Sequence, residues 1–128
     1  MLPNKVKIPN KHKWKSKKWM FYTIFERSIK QYKYQEWNKT RVVLVLSNAK
    51  SLVERAIVIE CSTKQQDERS IKLKENSWAM PNRIHTIHVS KLGVKYKIKQ
   101  EMPTHEIRAK IIDSIKSYLT IDEQKQRF

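Results

Sequence analysis

The sequence predicts a mainly β domain with one C-terminal helix, an α+β protein built as a small, partly open β-barrel. Two patterns lead to this. Short apolar or alternating segments recur between polar turns along most of the chain, and one run at helical spacing follows them near the C-terminus. A length of 128 residues then allows a single domain with one modest core.

The elements follow in order. Residues 1–18 carry Lys5, Lys7, Lys11, Lys13, Lys15, Lys17 and Lys18 with no acidic side chain. They are expected to form a flexible basic arm, serving either to order on a polyanion or only to keep the chain in solution. The barrel domain is expected over residues 19–122, with a frayed tail over 123–128. Residues 19–25 are aromatic and β-prone, a first strand. Residues 28–38 are polar with Tyr32, Tyr34 and Trp37 interleaved, a long loop or hairpin. Aromatic rings among lysines either stack on unpaired bases or pack on the barrel beneath. Residues 42–46 (Val-Val-Leu-Val-Leu) read as a buried strand, 47–50 as a turn, and 56–59 as a second buried strand running into Glu60-Cys61-Ser62-Thr63.

After a polar loop over 65–70, residues 70–74 alternate with period two, as a half-buried strand does. A further strand lies within 78–89, with Trp78 expected in the core. Gly93 marks a bend, and residues 94–99 alternate again with one lysine-coated face. Thr104 is an N-cap candidate, and Ile107, Ile111, Ile112, Ile115 and Leu119 fall on one helical face. The sequence contains no internal repeat.

Twenty-eight Lys and Arg against twelve Asp and Glu give a formal charge of +16. Such a domain repels itself, so the excess points to a polyanionic partner. Nucleic acid is the commonest, because neutralised phosphates release counterions; an anionic membrane surface is the rival. One cysteine, Cys61, leaves neither a disulfide within the chain nor a cysteine zinc site, and its apolar segment predicts a buried, inert thiol. No apolar run reaches the length of a membrane span, and no secretory signal opens the sequence, so the cytoplasm is the expected compartment.

Several chemistries find no residues. A single Gly excludes phosphate-cradling Gly-rich loops, and no Cys-x-x-Cys or His-x-x-x-His pair offers metal ligands. His85 and His88, three apart on a strand, face opposite ways. The acidic residues are scattered. No metal and no cofactor are expected.

What remains resembles the MazF/PemK family of toxin endoribonucleases over roughly residues 40–120. Thr40-Arg41 followed by the aliphatic strand and Ser47-Asn48 is similar to that family's second motif. Residues 56–63, ending at Thr63, are similar to its next strand. Ser77-Trp78 with Pro81-Asn82-Arg83-Ile84-His85-Thr86-Ile87 resembles its strand of Gln-Ile-Arg-Thr-Ile type, and residues from Pro103 onward its closing helix. Val42 stands where the family usually has Pro, and residues 32–39 replace its Gly-rich loop without a glycine.

The resemblance implies a small SH3-like barrel of PemK/MazF type. It also implies a homodimer that cuts single-stranded RNA, mRNA above all, without a metal, and that an acidic antitoxin restrains. Arg41 and Thr63 are implied as catalytic, the arginine donating to phosphate oxygens and the threonine adding a hydroxyl. Ser47, Asn48, Lys64, Arg83 and His85 are candidates for RNA binding. Each has a plainer reading beside this one: a surface charge, a turn former, or a strand histidine with its hydrogen bonds met. The alternative for the whole chain is a basic RNA- or DNA-binding module without catalysis.

Overall fold

The structure, a computed structural model, describes residues 16–29, 39–51, 53–93 and 100–126. The strand expected over 94–99, nearly all of the aromatic loop, and the arm up to residue 15 lie outside the described residues.

Five strands form one antiparallel sheet: β1 (Phe21–Phe25), β2 (Thr40–Val45), β3 (Arg55–Ser62), β4 (Ile71–Lys74) and β5 (Ser77–His88). Their order across the sheet is β1-β2-β3-β5-β4. The helix α1 (His105–Gln126) follows and continues past residue 122, where a frayed tail was expected. Thr104 caps it, its hydroxyl accepting from the Ile107 amide at 3.3 Å. Among the described residues β1 and β4 are the two edges of the sheet and do not pair with each other, so the sheet is not closed into a barrel. One face is covered instead by α1, so the sheet does not have to curl onto itself to bury it. Among the described residues, no helix is long and apolar enough to cross a membrane.

Side-chain alternation along each strand divides the core in two. On the helix side, Phe21, Leu44, Ile59, Cys61 and Ala79 pack with Ile111 of α1 and with Trp19, flanked by Val42, Leu46, Ile107 and Ile115. On the other side lie Ile24, Val43, Val45, Ala49, Ala56, Val58, Ile87 and Val89, with Tyr22, Ile29 and Leu92 against them. Short 3-10 turns at Glu26–Ser28 and Val89–Lys91 adjoin this second cluster. Gly93, at φ 67°, takes the left-handed bend and donates its amide to Thr23 at 2.7 Å. Asn76, at φ 59°, serves the tight turn between β4 and β5.

Two features shape the site. β3 and β5 shift register between Ile59, opposite Ile84, and Glu60, opposite Met80, so that Pro81, Asn82 and Arg83 bulge from β5. Pro81 lacks an amide to donate to the ladder, which favours a bulge there. The second is a clasp at the far end of β2. Ser16 and Ala49 exchange backbone hydrogen bonds at 3.0 and 2.9 Å, and the Lys18 amide donates to Asn48 Oδ1 at 2.7 Å.

Candidate functional site

The face away from α1 changes character along its length. Its apolar half ends at Val43 and Val58, and beyond them the same side carries charge. Glu60 lies directly opposite Val43 on β2 and opposite Met80 on β5. Only 2% of its side chain is exposed. A carboxylate so placed needs compensation. His85 Nε2 lies 2.6 Å from its Oε2, and Arg83 Nη1 lies 3.8 Å from its Oε1. The bulge at Pro81 brings these two β5 side chains back over Glu60.

A second pair stands beside the first. Arg41 precedes Val43 by two residues, so its side chain shares the Val43 face. Its Nε donates to Glu26 Oε2 at 2.8 Å, and Lys39 Nζ lies 3.9 Å from the same oxygen. The Glu26 side chain is 5% exposed. The β2–β3 pairing ends at Val43 and Glu60, and Arg41 lies two residues beyond that end of β2, on the same face as Glu60. Two buried carboxylates thus hold an arginine and a histidine on one side of the sheet. The Arg41 and His85 side chains are 28% and 24% exposed. Both are oriented by a buried partner and open to solvent. In the tautomer that donates Nε2–H to Glu60, His85 Nδ1 is the proton acceptor.

Arg41 and Thr63 also line one cleft of about 270 Å³, with Thr40, Val42, Cys61, Ser62, Lys74, Asn76, Ser77 and Gln100. Among the described residues no carboxylate lines it, and its hydroxyls, amides and cations suit an anionic strand. Val42 and Cys61 belong to the helix-side cluster, while Arg41 and Ser62 alternate to the other face, so the cleft lies between the ends of β2 and β3. Thr63 is exposed just past the end of β3. The structure therefore brings Arg41 and Thr63 to one cleft, while the Arg41 guanidinium is bonded to Glu26 on the face away from α1.

The other candidates divide. Arg83 and His85 meet at Glu60. Lys64 is exposed in the loop after β3, its amide donating to Ser62 Oγ at 3.2 Å. Ser47 and Asn48 stand at the far end of β2 from Arg41, about 20 Å along an extended chain. There they serve the clasp: Ser47 Oγ accepts from the Ile57 amide at 2.9 Å, and its carbonyl accepts from Ser16 Oγ at 3.0 Å. Trp78 corrects its expectation. It is half-buried and, among the described residues, joins neither apolar cluster: alternation from the buried Ala79 turns it to the face away from α1, and its partner Ser62 lies beyond the end of the apolar cluster there.

Cys61 is buried, and its thiol is pushed up to about 12, first by burial and then by the neighbouring Glu60 charge. It has the inert character expected of it. Glu26 and Glu60 escaped the sequence reading. Glu60 left a signal, a charge inside the apolar run Ala56-Ile57-Val58-Ile59-Glu60-Cys61. Glu26 left none, since it lies at a strand end where charges are common. Among the described residues, no group of three or more His, Cys, Asp or Glu side chains is gathered to hold a metal ion.

Comparison with known protein families finds none that matches the chain, and comparison with curated proteins finds no match either.

Proposed function

We propose that this chain is an endoribonuclease that cuts single-stranded RNA by using the RNA's own 2′-hydroxyl as nucleophile, on an SH3-like scaffold of PemK/MazF type. The observation that carries the reading is the pairing of Arg41 with Glu26 and of His85 with Glu60 as neighbours on one face. Transphosphoesterification needs three things from a protein: a positioned strand, proton transfer, and stabilisation of the negative charge that builds on the phosphate. His85 is the group for proton transfer, accepting from the 2′-hydroxyl or, once protonated, giving to the departing 5′-oxygen. Arg41 and Arg83 are the donors for the phosphate oxygens, where an arginine's fixed fork is effective. Attack forms the new O–P bond as the bond to the 5′-oxygen breaks, leaving a 2′,3′-cyclic phosphate and a 5′-hydroxyl. Thr63, Ser62 and Lys74 in the cleft take the backbone of the continuing strand.

In the same reading an acidic antitoxin segment covers the cationic face, and a second copy completes a homodimer. Ile57 and Ile84, both 43% exposed and diagonal across β3 and β5, are apolar surface available to that second copy.

A specific observation favours the alternative of a binding module without catalysis. The Arg41 guanidinium is committed to Glu26, and Thr63 is exposed past the end of β3. One assay separates the two. Purified protein is incubated with an unstructured RNA in EDTA, and the products are analysed for cyclic phosphate ends. Cleavage is expected, and Arg41→Ala is expected to slow it by about a hundredfold or more, the scale of losing a transition-state charge donor. Tight, salt-sensitive RNA binding with no cleavage at any enzyme concentration establishes the binding module instead.

A further inference from the structure

We infer that Trp78 forms a stacking subsite for one unpaired nucleobase, with Lys72 beside it and Arg41 two strands away. The inference rests on the RNA reading above and names a part of the substrate that reading leaves unassigned, the base.

The placement follows from register. Trp78 on β5 lies opposite Ser62 on β3 and opposite Lys72 on β4. Residues directly opposite each other share a face, so Lys72, Trp78 and Ser62 form one row across the sheet. Arg41 lies past the end of the β2–β3 pairing, and with Ser62 it lines the cleft between those strands. Glu60 and Met80 form the next row on the same side.

An indole in a β-sheet normally packs into the core, and this one does not. Trp78 is half-buried, joins neither apolar cluster, and holds the Lys72 ammonium 5.9 Å from its ring centroid. The Lys72 ammonium lies 3.5 Å from Glu75 Oε1, and both side chains are exposed, at 52% and 81%, so a phosphate can displace the carboxylate while the ring takes a base. Aromatic faces flanked by cations are the physical basis of single-strand recognition: the base stacks on the ring and the charges follow the backbone. A duplex hides its bases within the helical stack, so the subsite selects unpaired strands. The charge of +16 favours an anionic occupant over an apolar peptide.

The test uses binding, so it does not depend on catalysis. Fluorescence anisotropy at fixed salt compares a 2′-O-methyl RNA heptamer, which lacks the attacking hydroxyl, with an abasic oligomer carrying the same number of phosphates. Wild type is expected to bind the heptamer more tightly. Trp78→Ala is expected to weaken heptamer binding about fivefold to a hundredfold, the range for losing one stacked base, and to leave abasic binding within about twofold. Trp78→Phe, which keeps an aromatic face, is expected to retain most of the preference and controls for loss of folding. Equal weakening toward both oligomers, or an unchanged affinity for the heptamer, overturns the subsite. If wild type binds neither, the RNA reading falls and the subsite with it. If the base preference is present but unmodified RNA is not cut, only catalysis falls.

Discussion

Replacing Glu60 with Gln separates a residue that supports the fold from one that orients a reactive group. The substitution keeps shape and one acceptor but removes the charge facing His85 Nε2 at 2.6 Å and Arg83 Nη1 at 3.8 Å. On one side, a charge-assisted hydrogen bond becomes a neutral one, a loss of about 1–1.5 kcal/mol. On the other, the buried carboxylate no longer has to be desolvated, which relieves a cost of up to several kcal/mol. The cations left behind are not stranded, because the His85 and Arg83 side chains are 24% and 41% exposed and water reaches both. The net change in stability is therefore expected to lie between a loss of about 1 kcal/mol and a small gain, so the melting temperature falls by no more than about 4–8 °C. Cleavage should fare worse. An imidazole that has lost its orienting carboxylate loses much of the 10²- to 10⁴-fold that proton transfer contributes, so cleavage in EDTA is expected to drop by about a hundredfold or more. Circular-dichroism melting and a gel assay on the same preparation give both numbers. A well-folded variant that cuts at the wild-type rate refutes the role of the Glu60–His85 pair. A loss above about 3 kcal/mol shows that Glu60 holds the fold itself.

Two further predictions concern the helix side. Ile111 is fully buried between α1 and the sheet, so Ile111→Ala should cost about 2–5 kcal/mol by denaturant unfolding; a cost below 1 kcal/mol means that α1 does not dock there. Cys61, raised from 9.0 to about 12 in the fold, should resist iodoacetamide at pH 8.5 until the chain is unfolded. Because its folded value lies above the unfolded one, its contribution to stability is intact below pH 9 and is lost as pH rises through 9 to 12. Cys61→Ala should flatten that part of the stability curve, whereas rapid labelling of the native protein contradicts the burial.

The parts of the fold that local pattern dictates were readable in the sequence. Residues 42–46 and 56–59 are aliphatic enough to be buried wherever they pair, and they lie in β2 and β3 or at the end of β2. Thr104 gave the start of α1, and Ile107, Ile111 and Ile115 its docking face, whereas Ile112 and Leu119, read onto the same face, are exposed at 37% and 64%. What local pattern does not carry is register. Trp78 was expected in the core because a Trp within an apolar strand usually is, but one position of alternation from Ala79 puts it on the other side. The partly open barrel was an inference from the number of short strands, and strand number does not determine how far a sheet curls. Ser47 and Asn48 follow Arg41 closely in sequence, yet an extended chain carries them to the far end of β2. The meeting of Glu60 with Arg83 and His85 depends on a bulge, which Asn82 and Arg83, residues of ordinary type beside Pro81, do not announce.

The placement of the acidic side chains bears on function as well. The chain has only twelve of them against twenty-eight cations, and self-repulsion would be eased most cheaply by spreading them over the surface. Glu26 and Glu60 are instead buried, where each costs desolvation, and each meets a cation that remains partly exposed. A pair kept for stability gains little from that arrangement, since apolar residues of similar volume hold a core at least as well. A pair kept to aim a side chain gains a great deal, because a rotamer fixed from below presents its charge to solvent at one position. That difference is why the nuclease reading rests on the buried glutamates rather than on the total charge: +16 brings a polyanion to the surface, but only an oriented guanidinium and imidazole can act on one of its phosphates.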